Sequence, residues 1–394
     1  MHNKIKVGVN GCRQAKIGFE RDVLAAFPQI GGQRATQAAA IGAAAKILGQ
    51  ARRPLISGLG TDVEGVREAV HLAEKSKAIL DHGDSTGFDD GVRVLQSKGW
   101  YMTTLAELRN RADLVVIVGA DVVDHYENFL RRYVHPKQTL HLQPRSQRRV
   151  VYVGDISKAP NSTPACVIDR IDCEPRQLLN VLGALRASIS GRKLQATRIG
   201  KTRIQDIELL SHGIRDAQYP VFVWAPAHFE NVPADLAIQS IIRIIDDLNK
   251  TQRAAGLALG GDNGGMSAAN ACAWLTGYPL HVSFAGKTID YDPVQYRTRT
   301  LAENDAIDVL VWIDAIGKTM PPATRPNVKR IVLGLPGTNP APGADVFIPV
   351  GTPGVDYKGS LVRTDSVVSI QLDQLRPSPA PSVRKIVGSI IQHL

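Results

Sequence analysis

Chemistry in this chain would have to come from four cysteines, ten histidines and two glycine-rich turns. Cys12, Cys166, Cys173 and Cys272 contain no CxxC pair, the spacing that structural zinc and many iron–sulfur sites use. The histidines include no HxxxH or HExxH, so no helix face can offer two imidazoles to one metal. One acidic stretch, DHGDSTGFDD, gathers His82, Asp84, Asp89 and Asp90 as candidate oxygen and nitrogen donors for a hard cation. Its spacing does not match a calcium loop, and a solvated, turn-rich segment is the better reading. No GxSxG elbow occurs, and neither Ser–His–Asp nor Cys–His can be assembled from spacing. Cys272, in AANACAWL, falls on an apolar helical face and reads as core.

The glycine-rich turns are more permissive. GLGTDVEG (58–65) follows a short apolar strand and opens a helix, an arrangement whose free N–H groups favour anions. It is out of register with GxGxxG and lacks an acidic residue where a ribose would need one, which argues against nicotinamide binding. GGDNGG offers Gly260, Gly261, Gly264 and Gly265, where backbone can approach a ligand closely, or can simply make a tight strand-to-helix turn.

The formal charge is +10, with local concentrations at Arg52–Arg53, at Arg131–Arg132 with His135 and Lys137, and at Arg145, Arg148 and Arg149. The last two groups make residues 131–149 the best anion-facing candidate. Aromatics are only 5% and do not interleave with the basic residues, so a nucleic-acid module is not expected. No run approaches the roughly 18 apolar residues of a membrane span, and the start MHNKIKVGVNGC has no apolar leader core. A reducing, cytoplasmic setting follows from this and from the sparse cysteines.

The elements that must position these residues alternate. QRATQAAAIGAAAKILGQARR reads as helix, PLISGL as strand, TDVEGVREAVHLAEKSK as helix, and DLVVIVGA as a strand buried on both faces. Strands alternating with helices predict a parallel sheet in an α/β fold. Two similar doubly wound lobes are indicated by a repeat. Thr104-Leu-Ala-Glu107 precedes ADLVVIVGAD, and Thr300-Leu-Ala-Glu303 precedes IDVLVWIDA. RVVYVGD at 149 parallels RIVLGLPG at 330, and PLISGLGTDVEGVREAVHLA (54–73) is set against GLALGGDNGGMSAANACAWL (256–275). The expected division is an N-terminal segment 1–35, a first lobe 36–190 and a second lobe 191–394, with exchange of segments between lobes allowed. RPSPAPS (376–382) reads as a proline-stiffened linker to a last helix at 383–394, open to packing elsewhere, a partner included.

The block from Pro220 to Phe284, with TLAELRNRADLVVIVGADVVDHYENFLRRYV (104–134) and GADVFIPVGTPGVDYKGSLVRTD (343–365), resembles the B subunit of formylmethanofuran dehydrogenase, a branch of the molybdopterin/tungstopterin oxidoreductases. The resemblance implies lobes of the molybdopterin-oxidoreductase type, a pterin cavity to which the GGDNGG turn contributes, a metal held by cysteine or selenocysteine, and an iron–sulfur cluster. In this chain the segment that would carry the metal ligand, ILDHGDSTGFDDGVRVLQ (79–96), has no cysteine, and Gly87 or its neighbours take that place. Cys12 matches the context of a fourth cluster cysteine, and the preceding residues leave no room for the other three.

That pattern is similar to the B subunits of the formyltransferase/hydrolase complexes of methylotrophic bacteria. The resemblance then implies a non-catalytic, structural subunit in tetrahydromethanopterin- and methylofuran-linked C1 metabolism. Its expected partners are an amidohydrolase-like hydrolase, a formyltransferase and a small structural subunit. Arg131, Arg132, Arg148 and Arg149 are the expected contacts for the polyglutamate chain of methylofuran, with Gly260, Gly261, Gly264 and Gly265 a vestigial cavity turn and no metal ligand. Two alternatives stay open: a redox enzyme that ligates its metal through another residue, and a stand-alone binder of an acidic small molecule.

Overall fold

LVVIV (β5, Leu114–Val118) and PVFVW (β10, Pro220–Trp224) carry no charged side chain, and every position of both is buried. Strands of this kind are stable inside a parallel sheet covered on both faces, and the computed structural model places them side by side in one. It describes residues 19, 27–83, 86–123, 125–142, 148–163, 167–229, 231–317, 319–336 and 343–394. Cys12, Asp84, Arg145 and Cys166 lie outside the described residues. The chain divides into two units, one formed by residues to Ser85 with Gly261–Leu394, the other by Thr86–Gly260.

The Thr86–Gly260 unit holds a five-stranded sheet in the order β11-β10-β5-β6-β7, with β6 at Arg149–Gly154, β7 at Ile168–Asp172 and β11 at Ala255–Ala258. Every neighbouring pair is parallel. Side chains alternate across a strand. Leu114, Val116 and Val118 therefore join one core with Ile238, Ile241 and Ile245 of the helix Ala234–Leu248. Val115 and Ile117 join the opposite core with Leu108 and Phe129. A small antiparallel hairpin, β8 (Arg198–Ile199) and β9 (Thr202–Arg203), stands apart from the sheet.

In the other unit a nine-stranded sheet runs β13-β12-β4-β3-β14-β15-β16-β1-β2. Its parallel centre is β3 (Pro54–Gly60), β4 (Ile79–Leu80), β14 (Val309–Asp314), β15 (Lys329–Gly334) and β16 (Val346–Pro349). Antiparallel pieces close both margins, β12 (Val282–Ser283) with β13 (Asp290–Tyr291), and β1 (Gln29–Ile30) with β2 (Gln33–Arg34). A separate hairpin is formed by β17 (Gly359–Val362) and β18 (Ser369–Leu372).

The repeat is present, and one residue type marks it. Asp113 accepts hydrogen bonds from Gln218 N–H (2.7 Å) and Tyr219 N–H (2.8 Å), at the entrance to β10. Asp308 accepts from Arg52 N–H (2.6 Å) and Arg53 N–H (3.0 Å), at the entrance to β3. The next strands repeat the match, because Arg149 N–H donates to Asp113 O and Lys329 N–H to Asp308 O, both at 2.9 Å. Hence β5 corresponds to β14, β6 to β15 and β10 to β3, and the order β11-β10-β5-β6-β7 reproduces β4-β3-β14-β15-β16.

Three expectations need correction. PLISGLG corresponds to PVFVWAP at 220–226, not to the 256–275 segment, because strand position is set by the aspartate latch and not by shared glycines. The division at 190/191 also fails. β10 is buried between β5 and β11, so residues 191–260 complete the sheet begun at Leu114, while Gln29–Arg34 belong to the other sheet. Finally, the tail is docked. Ser382 caps the helix Val383–Gln392, accepting from Lys385 N–H (3.2 Å), and that helix packs on the helices Val63–Ser76 and Gln37–Gly49 through its buried Val383, Ile386, Val387 and Ile390. Arg376 of the proline-rich stretch is itself buried, donating from Nε to Asp356 (2.7 Å).

Candidate functional site

Open α/β sheets bind ligands beyond the carboxyl ends of their strands, where successive connections leave in opposite directions. In the nine-stranded sheet that point lies between β3 and β14. β3 ends with positive φ at Gly58 (82°) and Leu59 (50°), which turns the chain into the helix Val63–Ser76. Asp62 caps that helix, accepting from Gly65 N–H at 3.3 Å and from Thr61 Oγ1 at 3.1 Å. Tyr357, from DYKGSLVRTD, donates its hydroxyl to the same carboxylate at 3.1 Å. A Cβ on Gly359 would stand 3.0 Å from Asp62 Oδ2. Burial pushes the Asp62 carboxyl above its ordinary range, and burial together with Asp62 pushes the Tyr357 phenol up as well. The helix N-terminus of GLGTDVEG therefore faces the chain's own buried acid. A phosphate there would meet a carboxylate, and the anion-cradle reading of 58–65 does not hold.

The GGDNGG turn is filled in the same way. Gly261 and Gly264 take positive φ (81° and 79°), as does Asn263 (50°). The Asn263 side chain lies where Gly60 and Gly317 have no Cβ; added ones would come within 2.7 and 2.4 Å of it. Its amide donates to Thr319 Oγ1 (3.2 Å). The loop after β14 wraps Asp314, whose carboxylate accepts from Gly317 N–H (2.8 Å), Thr319 N–H (2.7 Å) and Thr319 Oγ1 (2.6 Å). Gly264 abuts Ile316 and the Thr61 backbone, Gly261 abuts Met266, and Gly265 faces the buried His82 ring. The turn thus packs its glycines against neighbouring side chains and backbone. Gly260 belongs to the Thr86–Gly260 unit and is not part of this packing.

Upstream, the segment ILDHG is built into a buried network that sequence reading missed. Asp81 accepts from Thr298 N–H (2.7 Å) and Thr298 Oγ1 (2.6 Å) and sits 3.1 Å from His281 Nδ1, with Ser57 Oγ 2.6 Å from Thr298 Oγ1. The only sequence signal was a polar pair directly after an apolar strand. Asp90 lies on the helix Thr86–Lys98 and bonds Arg93, and burial raises its carboxyl. Among the described residues no group of three or more His, Cys, Asp or Glu side chains could hold a metal ion. Cys173 and Cys272 are both buried thiols, and burial pushes both upward, Cys173 to about 11.

The four arginines divide. Arg148 is buried and donates to five carbonyls, those of Leu108 (3.0 Å), Arg109 (2.8 Å), Ala112 (2.6 Å), Tyr133 (3.1 Å) and Val134. It ties the helix Leu105–Arg111 to the wide turn Leu130–Val134, which His135 N–H closes on Leu130 O (2.7 Å). Desolvation lowers its guanidinium to about 10. The expectation that Arg148 meets an external polyanion is therefore overturned, because every direction of its fork is used internally. Arg131 and Arg132 are exposed, Arg131 bonding Asn128 Oδ1 (2.6 Å). Arg149 is exposed and paired with Asp169 (3.2 Å).

No protein-family model matches the chain. It is 27% identical over 359 residues to the B subunit of the formyltransferase/hydrolase complex Fhc of Methylorubrum extorquens, covering 90% of this chain and 93% of that one. Over 341 residues it is 23% identical to the B subunit of the tungsten-containing formylmethanofuran dehydrogenase 2 of Methanococcus maripaludis, covering 85% and 78% of the two chains. The chain is a homologue of these B subunits. The crystal structure of the formyltransferase/hydrolase complex FhcABCD from Methylorubrum extorquens with methylofuran contains a chain that matches with a TM-score of 0.78 at 24% identity, over 93% of this chain and 98% of that one, which shows a shared fold.

The resemblance gives the place of the metal ligand to Gly87 or its neighbours. Gly87 opens the helix Thr86–Lys98 with its Cα against Ala227; a Cβ there would stand 2.6 Å from Ala227 N and 2.8 Å from Ala227 Cα. No ligating side chain fits without moving backbone. Among the described residues no cluster of donors fits a metal ion, and the glycine turn that the resemblance places at the pterin is packed by Asn263, Ile316, Met266 and His82. No helix among the described residues is long and apolar enough to cross a membrane.

Proposed function

We propose that this chain is the B subunit of a formyltransferase/hydrolase complex and acts there as a structural component that contributes no catalytic group. The observation that carries this is the close packing of Gly87 on Ala227, within the segment where the resemblance puts the metal ligand at Gly87 or its neighbours. Similarity to the Fhc protein across nearly the whole of both chains supports the assignment to this complex rather than to a dehydrogenase.

In this reading the companion chains carry the chemistry, an amidohydrolase-like chain hydrolysing the formyl group and a formyltransferase supplying it. Methylofuran is held by those companions. Arg131, Arg132 and Arg149, exposed on the Thr86–Gly260 unit, are proposed to meet acidic partner surface or the glutamate chain of the cofactor. Purification from the native host under anaerobic conditions, with elemental analysis and identification of co-purifying chains, tests the proposal. Tungsten, molybdenum and iron are expected to be absent from this chain, with hydrolase-like and formyltransferase-like chains present in stoichiometric amounts. Stoichiometric tungsten or molybdenum in this chain would overturn it.

A further inference from the structure

The connections reverse direction between β10 and β5 in the five-stranded sheet, and here the carboxyl edge opens into a cavity of about 180 Å³. That is room enough for one small organic molecule. Its walls come from the ends of four strands: Gly119 after β5, Tyr152 and Gly154 of β6, Cys173 after β7 and His228 after β10. The Tyr152 side chain is fully buried and its hydroxyl has no hydrogen-bond partner among the described residues. A buried hydroxyl without a partner costs on the order of 1–3 kcal/mol, so it is a donor open to a water or to a ligand. A Cβ on Gly154 would lie 3.2 Å from the hydroxyl, so the glycine leaves room on that side. Burial and the nearby Asp155 and Asp121 hold the phenol protonated, hence a donor.

Asp155 and Lys158 are the acid and the base in the wall of the cavity. The Asp155 carboxylate is engaged by Ser157 N–H (2.9 Å) and Ser157 Oγ (2.8 Å), and feels both Lys158 and Lys201. Lys201 belongs to the β8–β9 hairpin, which Thr202 Oγ1 pins to Asp172 O (2.6 Å) at the end of β7. From Gly191 to Arg203 the hairpin segment includes Arg192, Lys193, Arg198 and Lys201 and no acidic residue. A phenol donor inside and the Lys158 ammonium in the wall, with Asp155 engaged by Ser157, suit a ligand with a carboxylate on a short carbon chain.

We propose that this cavity is a binding site for a small organic carboxylate, which accepts the Tyr152 hydroxyl and is balanced by Lys158. The test is isothermal titration of the full-length chain in its purified complex with glutarate, inorganic phosphate and 5′-AMP, repeated on Tyr152→Phe and Lys158→Met. Glutarate is expected to bind one per chain, and each variant to weaken it about tenfold or more, the range of a hydrogen bond or ion contact to a carboxylate. Tyr152→Phe removes a buried hydroxyl without a partner, so its thermal midpoint without ligand should lie above that of the wild type. Three outcomes overturn the proposal. Wild type that shows no saturable glutarate binding means that water alone partners the hydroxyl. Equal binding by Tyr152→Phe places the ligand elsewhere, and preference for phosphate or 5′-AMP shows that the site reads a phosphoryl group.

Discussion

Tyr357 donates its hydroxyl to Asp62 Oδ1 at 3.1 Å, a bond between residues 295 positions apart that seals the first turn of the helix Val63–Ser76. Because burial raises the Asp62 carboxyl above 3.8, the folded chain keeps this proton to higher pH than the unfolded chain does. The stability this group contributes is complete below 3.8 and declines as pH rises through the elevated folded value. The phenol favours the ionised form, so Tyr357→Phe should cost about 1–2 kcal/mol at pH 7 and less at pH 4. Urea unfolding at the two pH values checks this. An identical loss at both would mean that the bond does not depend on carboxylate charge.

At Gly87 the expected effect is steric. Gly87→Ala should lower stability by about 1–3 kcal/mol, because its Cβ must displace the Ala227 backbone. Gly87→Cys should cost at least as much and should not recruit tungsten or molybdenum. A fully stable cysteine variant that takes up metal would show that the helix Thr86–Lys98 can shift to make a ligand site.

The arginines offer a contrast within one patch. Arg148→Met leaves the carbonyls of Leu108, Arg109, Ala112, Tyr133 and Val134 without their donor, and should cost about 3 kcal/mol or more. Arg131→Gln with Arg132→Gln should leave stability within about 0.5 kcal/mol, as for other surface sites. If these exposed residues meet an acidic partner, the double variant should weaken assembly at physiological salt, read by analytical size exclusion. Unchanged assembly and cofactor retention would remove the anion role from both.

Asp113 and Asp308 predict each other. Each supplies both carboxylate oxygens to two backbone N–H groups at a strand entrance. Asp113→Ala and Asp308→Ala should each cost about 2 kcal/mol, with the two losses adding when combined. Hydrogen exchange should show faster exchange at Gln218 and Tyr219 in the first variant, and at Arg52 and Arg53 in the second.

These aspartates also show where sequence reading succeeded and where it stopped. DLVVIVGA and IDVLVWIDA announced buried parallel strands, and their order made the duplication readable. The strand matched to PLISGLG was misassigned because GLALGG shares its glycines, whereas register is held by the long-range Asp308 latch, invisible in a linear pattern. Arg148 looked like its neighbours Arg131 and Arg149, and only the fold reveals that its carbonyl partners come from two other elements. The buried Asp81–His281–Thr298 group had no periodic signature, since its members lie in three separate segments.

The chain leaves the nine-stranded sheet after Leu80 and returns at Val282, and β3 pairs with β14 through Pro54 and Val309. During synthesis, β3 and β4 emerge long before the strand that must cover their flank. Thr86–Gly260 can meanwhile close its own sheet from contiguous chain, and domains fold as units as they emerge. The apolar edge of β3 must then wait, unpaired, for the last third of the protein. Interrupted translation beyond Gly260 would yield one finished sheet and one sticky half-sheet, and the cell's chaperones would meet that half-sheet first.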